Sequence, residues 1–390
     1  MLLIKKITEY LKYISRAKKR WTPPRSCPIL IFNSCGSEFL WDYISCWDHE
    51  TLYLSGEEIN ILALIRSLFV RGKRQDAYID AYIKLVKPRV IITRIDNALN
   101  YYTISARHDC LKTISIQNGT RGYYLDIFEQ FDLHPELKGK LRIDYMLVFG
   151  TGVGKAFSEN VAAEIIPIGS FRNNLVRKSQ KRHVDLMAFV SQYRSTPGFP
   201  MGDKFYSFNE FFEQADSIIL PFLVDYAKRK SKRLVIVPSY GRFGGVKLQE
   251  EKQYFQKIIG DQAVFSDWYW HGSSYETLDS AEVTISIDSS MGLESAARGN
   301  KSAIFSFRGL LLGLTNPPFL SFGWPGRYAD VGPFWSNLGE TPIFEEILDH
   351  LFSIDQVAWT NELSSVNFSN VLDFDEGNRR FSSILEHELS

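Results

Sequence analysis

The sequence predicts an α/β protein built from two open parallel-sheet domains. Three observations carry this. Short apolar runs alternate with amphipathic segments from residue 28 onward, the pattern of βαβ units. The alternation breaks at a polar, basic stretch, "FRNNLVRKSQKRHVD" at roughly 171–184, and then restarts. The chain has 390 residues, more than one ordinary core accommodates.

The elements follow in order. Residues 1–26 open with Leu2, Leu3, Ile7, Tyr10, Leu11 and Ile14 at helical spacing, among seven lysines and arginines up to Arg20. This predicts a basic amphipathic helix, suited either to an anionic membrane surface (residues 1–21) or to packing on the domain. In residues 27–172, "PILIFN", "TLYLS", "RVIITRIDN", "KTISIQNG", "DYMLVFG" and "EIIPIGS" read as strands, and "EINILALIRSLFVRG" and "DAYIDAYIKLVKP" as helices. In residues 173–340 the strands are "LMAFVSQY", "RLVIVPSY", "AVFSD", "VTISI" and "SAIFS". The helices between them are "FNEFFEQADSIILPFLVDYAKRK", "QEEKQYFQKIIG", "YETLDSA" and "GLESAARG". Residues 341–390, beginning "TPIFEEILDHLFS", form a closing helical segment.

Composition excludes several classes. Forty-five basic and forty-five acidic residues give zero formal charge, so no nucleic-acid partner is expected. Cys27, Cys35, Cys46 and Cys110 lack CxxC spacing and read as reduced thiols of a cytoplasmic protein. No signal peptide is expected, and the longest apolar run, "INILALIRSLFV", is interrupted by Arg66; the expectation is a soluble or peripheral protein.

Ligands of open parallel sheets bind outside the carboxyl ends of the strands, so loops after strands matter most. In "VTISIDSSMGLESAARGNKSAIF", a strand ends at Asp288-Ser289-Ser290, a helix runs from Met291 to Arg298, and Gly299 ends it. A helix N-terminus offers unpaired N–H groups and partial positive charge, a seat for phosphate. Ser289 and Ser290 add hydroxyls, Gly292 leaves the backbone open to a ligand, and Glu294 can accept from ribose hydroxyls. Capping alone accounts for one of the serines but not for the glycine.

The order Ser286, Ser289 or Ser290, Gly292, Glu294, Gly299, Lys301 resembles the nucleotide-sugar site of GT-B glycosyltransferases, above all those of bacterial capsule and lipopolysaccharide biosynthesis. "YETLDSAEVTIS" resembles the helix before that site, "ISIQNGTRGYY" at 114–124 a strand-end loop of the N-terminal domain, and "FGWPGRYADVGPFW" at 322–335 a segment of a surface-carbohydrate family. The resemblance implies two Rossmann-like domains facing a cleft, an acceptor on the N-terminal side and a donor on the C-terminal side. It implies no cofactor and no metal; no DxD-like pair is present, and Asp279 and Asp288 stand alone. Two departures stand out: Asp288 places a carboxylate beside the presumed phosphate unless it turns away to cap the helix, and Asn118 stands where related transferases often have histidine, so whatever acid–base work that position does elsewhere it cannot do here.

His271, Ser273 and Ser274 in "WYWHGSSYETL" are similar to the donor-phosphate loop of enzymes that use CMP-linked acidic sugars such as Kdo, with a structural histidine as the competing reading. For chemistry, Asp96 and Glu38 at strand ends are the expected acceptor-activating carboxylates, against helix N-capping for Asp96 and dipole pairing for Glu38. Asn118, Gly119, Thr120, Arg121 and Arg242 are expected at phosphate or acceptor. "FGTGVGK" at 149–155 reads as a strand-to-helix turn, not a dinucleotide fingerprint. The function implied is glycosyl transfer from a nucleotide sugar to a cell-surface or lipid-linked glycan. The alternatives are a CDP-polyol phosphotransferase, a sugar-nucleotide 2-epimerase, or a non-catalytic glycan-binding protein.

Overall fold

The computed structural model describes residues 16–69, 74–179 and 183–390. The N-terminal domain is a six-stranded, all-parallel sheet. Its strands are β2 (Ile29–Phe32), β3 (His49–Leu52), β5 (Val90–Thr93), β6 (Lys112–Ile116), β7 (Leu141–Val148) and β8 (Val161–Pro167), in the order β3-β2-β5-β6-β7-β8. The central strands "ILIF" and "VIIT" are buried throughout, because helices cover both faces of a parallel sheet and only apolar runs survive there.

The C-terminal domain is a second parallel sheet of β9 (His183–Val190), β12 (Arg233–Val237), β13 (Ala281–Ser286), β14 (Ser302–Phe305) and β15 (Trp335–Ser336), ordered β12-β9-β13-β14-β15. In each sheet the winding direction reverses once, between β2 and β5 and between β9 and β13. Those reversals open the crevices where such sheets take ligands.

Several expectations are corrected. Of the helix expected over 1–26, residues 1–15 lie outside the described residues, and Lys18–Arg20 form a strand, β1, parallel to β4 (Glu58–Asn60). Acidic neighbours hold it there: Arg20 pairs with Glu50 at 2.8 Å, and Lys18 with Glu58 at 3.4 Å. β4 also takes the start of the helix expected over 58–72. That helix begins at Ile61 because the Asn60 side chain accepts from the Ala63 N–H at 3.0 Å and caps it. The run "AVFSD" contributes a single bridge, Phe265 to Ile236, because the chain turns away after Ser266. The segment 198–207, not foreseen as structured, is an antiparallel hairpin of β10 (Gly198–Met201) and β11 (Lys204–Ser207) turning at Gly202, whose φ is +58°.

The closing segment 341–390 divides. The helix Thr341–Ser353 packs on the C-terminal domain, burying Phe344, Leu348 and Leu351. The helix Arg379–Leu389 returns to the N-terminal domain, where Phe381, Leu385 and Leu389 share a core with Ile29, Val90 and Ile114. The chain therefore crosses between the domains twice. The first crossing is not the loose linker its polarity predicts: Phe171, Asn173, Asn174 and Val176 are buried. The side chain of Asn174 donates to Asn378 on the second crossing at 2.9 Å. The glycines of "FGTGVGK" serve the same junction. A Cβ on Gly150 or Gly152 would stand 2.5 or 2.8 Å from the Asn370 carbonyl. Among the described residues no helix is long and apolar enough to cross a membrane.

Candidate active site

The two switch points face each other across a cavity of about 520 Å³, within the size range of small-molecule sites. The N-terminal wall comes from the loops after β2, β5, β6 and β8: Cys35, Gly36, Phe39, Arg94, Asn118, Ser170 and Arg172. The C-terminal wall comes from the loops after β9, β12 and β13, with Ser191, Arg194, Ser239, Arg242, Ser274, Tyr275, Ser289, Ser290, Met291 and Glu294 among its residues.

The helix at the heart of the C-terminal wall runs Ser290–Ala297, one residue earlier than the sequence suggests. Ser289 is its N-cap, its hydroxyl accepting from the Met291 N–H at 3.3 Å. Ser290 and the amide end of the helix border the cavity. Glu294, one turn in, also borders it and accepts from the Tyr275 hydroxyl at 2.5 Å. Burial and the Glu294 charge push the Tyr275 phenol well above its ordinary range, so it stays a donor. The loop carrying Arg242 is fixed by buried Glu251, which accepts from the N–H groups of Ser239 and Tyr240 at 2.7 and 2.8 Å.

Other expected donor residues lie elsewhere. Ser286 is fully buried, and a Cβ on Gly292 would meet its Oγ at 1.9 Å. The bare face of Gly292 is therefore turned to β13, and the glycine serves helix–strand contact instead of ligand approach. Asp288 does turn away, but not to cap the helix: it forms a buried ion pair with Arg308 in a separate cavity of about 290 Å³. Ser273 is consumed locally, accepting from the N–H groups of Tyr269 and Trp270 at 3.1 and 2.9 Å and donating to the Trp270 carbonyl. His271 is exposed and absent from the cavity wall. Lys301 pairs with Glu282 at 2.5 Å and donates to the Ile354 carbonyl, which anchors β14 to the end of the Thr341–Ser353 helix.

On the N-terminal side the two candidate carboxylates differ in exposure. Asp96 is 1% exposed and does not border the cavity. It accepts from the Asn118 N–H at 3.2 Å and lies 3.4 Å from the Arg121 guanidinium. Burial, against the pull of Arg121, holds its carboxyl above the ordinary range. Arg121 is spent in the same way, bonding Asp126 at 3.1 Å, Asn118 at 2.8 Å and the Gly119 carbonyl at 3.2 Å. These contacts shape the loop Asn118-Gly119-Thr120-Arg121 and present Asn118 to the cleft; Thr120 and Arg121 border the smaller cavity. Glu38 does not line the cavity either; it stands half-exposed beside it, 3.5 Å from Arg242 of the opposite domain, which does line it.

The sequence reading missed Arg94, Arg172 and Arg194 as site residues. Arg94 ends an apolar strand and read as a flank of Asp96; Arg172 read as linker charge. Only the fold brings them to one cavity, Arg94 and Arg172 from the N-terminal wall and Arg194 from the facing one.

Residues 114–389 match a family described as "putative O-antigen biosynthesis protein". The chain belongs to this O-antigen biosynthesis family. No curated protein matches the chain. Among solved structures, sucrose-phosphate synthase from Thermosynechococcus elongatus is 12% identical over 94% of this chain and 99% of that one, with a TM-score of 0.50. The wall teichoic acid polymerase TagF is 10% identical over 93% and 89%, with a TM-score of 0.46. UDP-GlcNAc 2-epimerase from Neisseria meningitidis bound to UDP-GlcNAc is 9% identical over 93% and 98%, with a TM-score of 0.44. The first of these likenesses concerns the fold alone, and the other two are more distant. The fold of this family member is GT-B: two Rossmann-like parallel-sheet domains facing a cleft.

Proposed function

We propose that this protein is a glycosyltransferase of surface-polysaccharide assembly. It takes a nucleotide-activated sugar at the C-terminal wall of the cleft and transfers the sugar to a glycan or lipid-linked glycan presented by the N-terminal wall. One observation carries the reading. A single cavity joins the amide end of the Ser290–Ala297 helix, the Ser290 hydroxyl and the Glu294 carboxylate to a set of arginines and Asn118 on the facing domain. Helix amides and a hydroxyl suit a phosphate, and a carboxylate one turn deeper suits paired ribose hydroxyls.

Glu38 is the carboxylate placed to take the proton of an acceptor hydroxyl. It is on the N-terminal domain, half-exposed, and at the cleft mouth. Asp96 acts one step back, holding Arg121 and the Asn118 amide in place. Of the loop that suggested a CMP-linked sugar such as Kdo, Ser274 borders the cavity while His271 and Ser273 do not, so the identity of the base is left to experiment. Attachment to the inner face of the cytoplasmic membrane belongs to the same reading. Residues 1–21 carry the basic segment, and Trp21 is 74% exposed. Co-sedimentation with phosphatidylglycerol vesicles, but not with phosphatidylcholine vesicles, is the expected result.

The test of the site is a thermal-shift titration with CMP, CDP, UDP and GDP. One of them is expected to stabilise the protein, and Ser290→Val and Glu294→Gln to weaken that nucleotide about tenfold, as loss of one charge-assisted contact predicts. Unchanged affinity in both variants would show that the nucleotide binds elsewhere.

A further inference from the structure

Arg94 and Arg172 are the least satisfied charges bordering the cleft. Arg94 is 6% exposed and uses one nitrogen, Nη1, to bond the Gly36 carbonyl at 3.2 Å; its Nε is buried without a partner. Its guanidinium lies over the rings of Phe39 and Phe171, at 5.0 and 5.2 Å from their centroids. Arg172 lies over the Phe39 ring at 5.9 Å, and its Nε is likewise buried and unpartnered. Among the described residues neither side chain forms an ion pair, and Arg172 forms no side-chain hydrogen bond. Burial has pushed Arg94 down to about 10, against the attraction of Glu38 and Asp96 and with a smaller repulsion from Arg172.

Two neighbouring cations, one buried and one half-buried, with no ion-pair partner in contact, are costly for a fold to keep. The aromatic rings beside them fix the guanidinium planes and leave most of their N–H groups unused, the Arg94 Nη1 bond to Gly36 apart. That is the arrangement that grips an oxyanion. Both residues border the same cavity as the Ser290–Ala297 helix, but from the opposite domain.

We infer that Arg94 and Arg172 form a second anion subsite, separate from the nucleotide-phosphate seat, that binds an acidic group carried by a sugar: a carboxylate or a phosphate on the donor sugar or on the acceptor glycan. This rests on the reading of the cleft as a glycosyl-transfer site and adds to it that one of the two sugars is acidic.

The experiment starts from protein saturated with the nucleotide that stabilises it best. D-glucuronate, inorganic phosphate and D-glucose are then titrated against wild type, Arg172→Gln and Arg94→Lys. The expected result is that glucuronate and phosphate bind alongside the nucleotide and glucose does not. Arg172→Gln is expected to weaken the acids about tenfold or more and to leave nucleotide affinity within about twofold. Arg94→Lys keeps the charge of the buried site and reports the loss of planar geometry. Because Arg172 is the less buried of the two, the test does not hang on a variant that disturbs the core.

Equal binding of glucose and glucuronate, or acid affinity unchanged in both variants, overturns the subsite. So does exclusion of the acids by bound nucleotide together with an equal loss of nucleotide affinity in Arg172→Gln, which would give the arginines to the donor phosphate. Comparing UDP-glucuronate with UDP-glucose separates the sources. Tighter binding of the first, lost in Arg172→Gln, puts the acid on the donor sugar; equal binding beside a retained glucuronate site puts it on the acceptor. If no nucleotide binds, the glycosyl-transfer reading fails, and the glucuronate titration of the free protein still decides whether the arginine pair takes an acid.

Discussion

At the scale of single residues, the chemistry of a side chain proved a weaker guide than its neighbours. Asp96 follows an apolar strand, as a catalytic carboxylate often does, yet the fold covers it. Asp288 sits beside the helix that borders the cleft, yet Arg308 draws it into the smaller cavity. What fixes each is a partner twenty or more residues away. Asp216 makes this measurable. It is buried in the helix Gln214–Arg229, accepts from the Tyr254 hydroxyl at 2.7 Å, and faces Arg308, Asp288 and Glu213. Burial outweighs the attraction of Arg308 and pushes its carboxyl up to about 6. A carboxyl raised on folding stabilises the protein fully below its unfolded range near pH 4, and that contribution is lost as pH rises through about 6. In denaturant melts at pH 4.5 and 7.5, Asp216→Asn is therefore expected to gain on wild type with rising pH, by about 2 kcal/mol across that window for a shift of this size. A difference between variant and wild type that does not change with pH would show that Asp216 is ionised throughout.

At the scale of elements, most of the fold was legible. Apolar runs at strand length gave every strand of the two parallel sheets except the two-residue β15, because a strand buried on both faces must be apolar; amphipathic runs gave most of the helices, but not Ile127–Leu133, and Thr151–Ser158 only as the turn that leads into it. The errors share a cause, which is that an edge or an end depends on pairing. β1 and β4 are polar strands that exist because they meet each other. "AVFSD" has strand composition but stays with its neighbour for one residue only. The hairpin Gly198–Ser207 is announced only by a glycine turn. The helix Ser290–Ala297 was placed correctly in the chain, but its glycine was given the wrong purpose. An alanine Cβ at position 292 would stand 1.9 Å from Ser286 Oγ and 3.1 Å from Ile304 Cδ1. Both belong to strands packed beneath the helix, so the helix has to lift. Gly292→Ala is expected to lose about 1–3 kcal/mol of stability, as overpacked cores do, read as a lower midpoint in urea. Combining it with Ser286→Gly, which removes the obstructing hydroxyl, is expected to recover part of the loss. A ligand-facing glycine predicts the reverse pattern, with stability unchanged and nucleotide affinity lost.

For the molecule as a whole, the two domains are joined at the back and touch at the mouth, and these contacts differ in kind. At the back, the first crossing is bound to the C-terminal domain by Arg298, which is fully buried, forks onto Asp279 at 2.5 and 2.9 Å and donates to the carbonyls of Asn173 and Val176. Asn174 and Asn378 then tie the two crossings together. At the mouth, the ion pair Glu38–Arg242 spans the domains at 3.5 Å with both side chains nearly half exposed. Exposed pairs contribute about 0–1 kcal/mol, so this contact can open for a substrate at little cost, whereas the buried network at the back cannot. Arg242→Gln is accordingly expected to leave the urea midpoint within about 1 kcal/mol of wild type. The same variant is expected to weaken the stabilising nucleotide about tenfold, through loss of one guanidinium contact at the cavity. Glu38→Gln is expected to leave both stability and nucleotide affinity near wild type and to abolish transfer to the acceptor. Urea melts and nucleotide titrations of the two single variants and the double variant check this. A loss of several kcal/mol in either single variant would make the pair a structural latch between the domains and remove Glu38 from the chemistry.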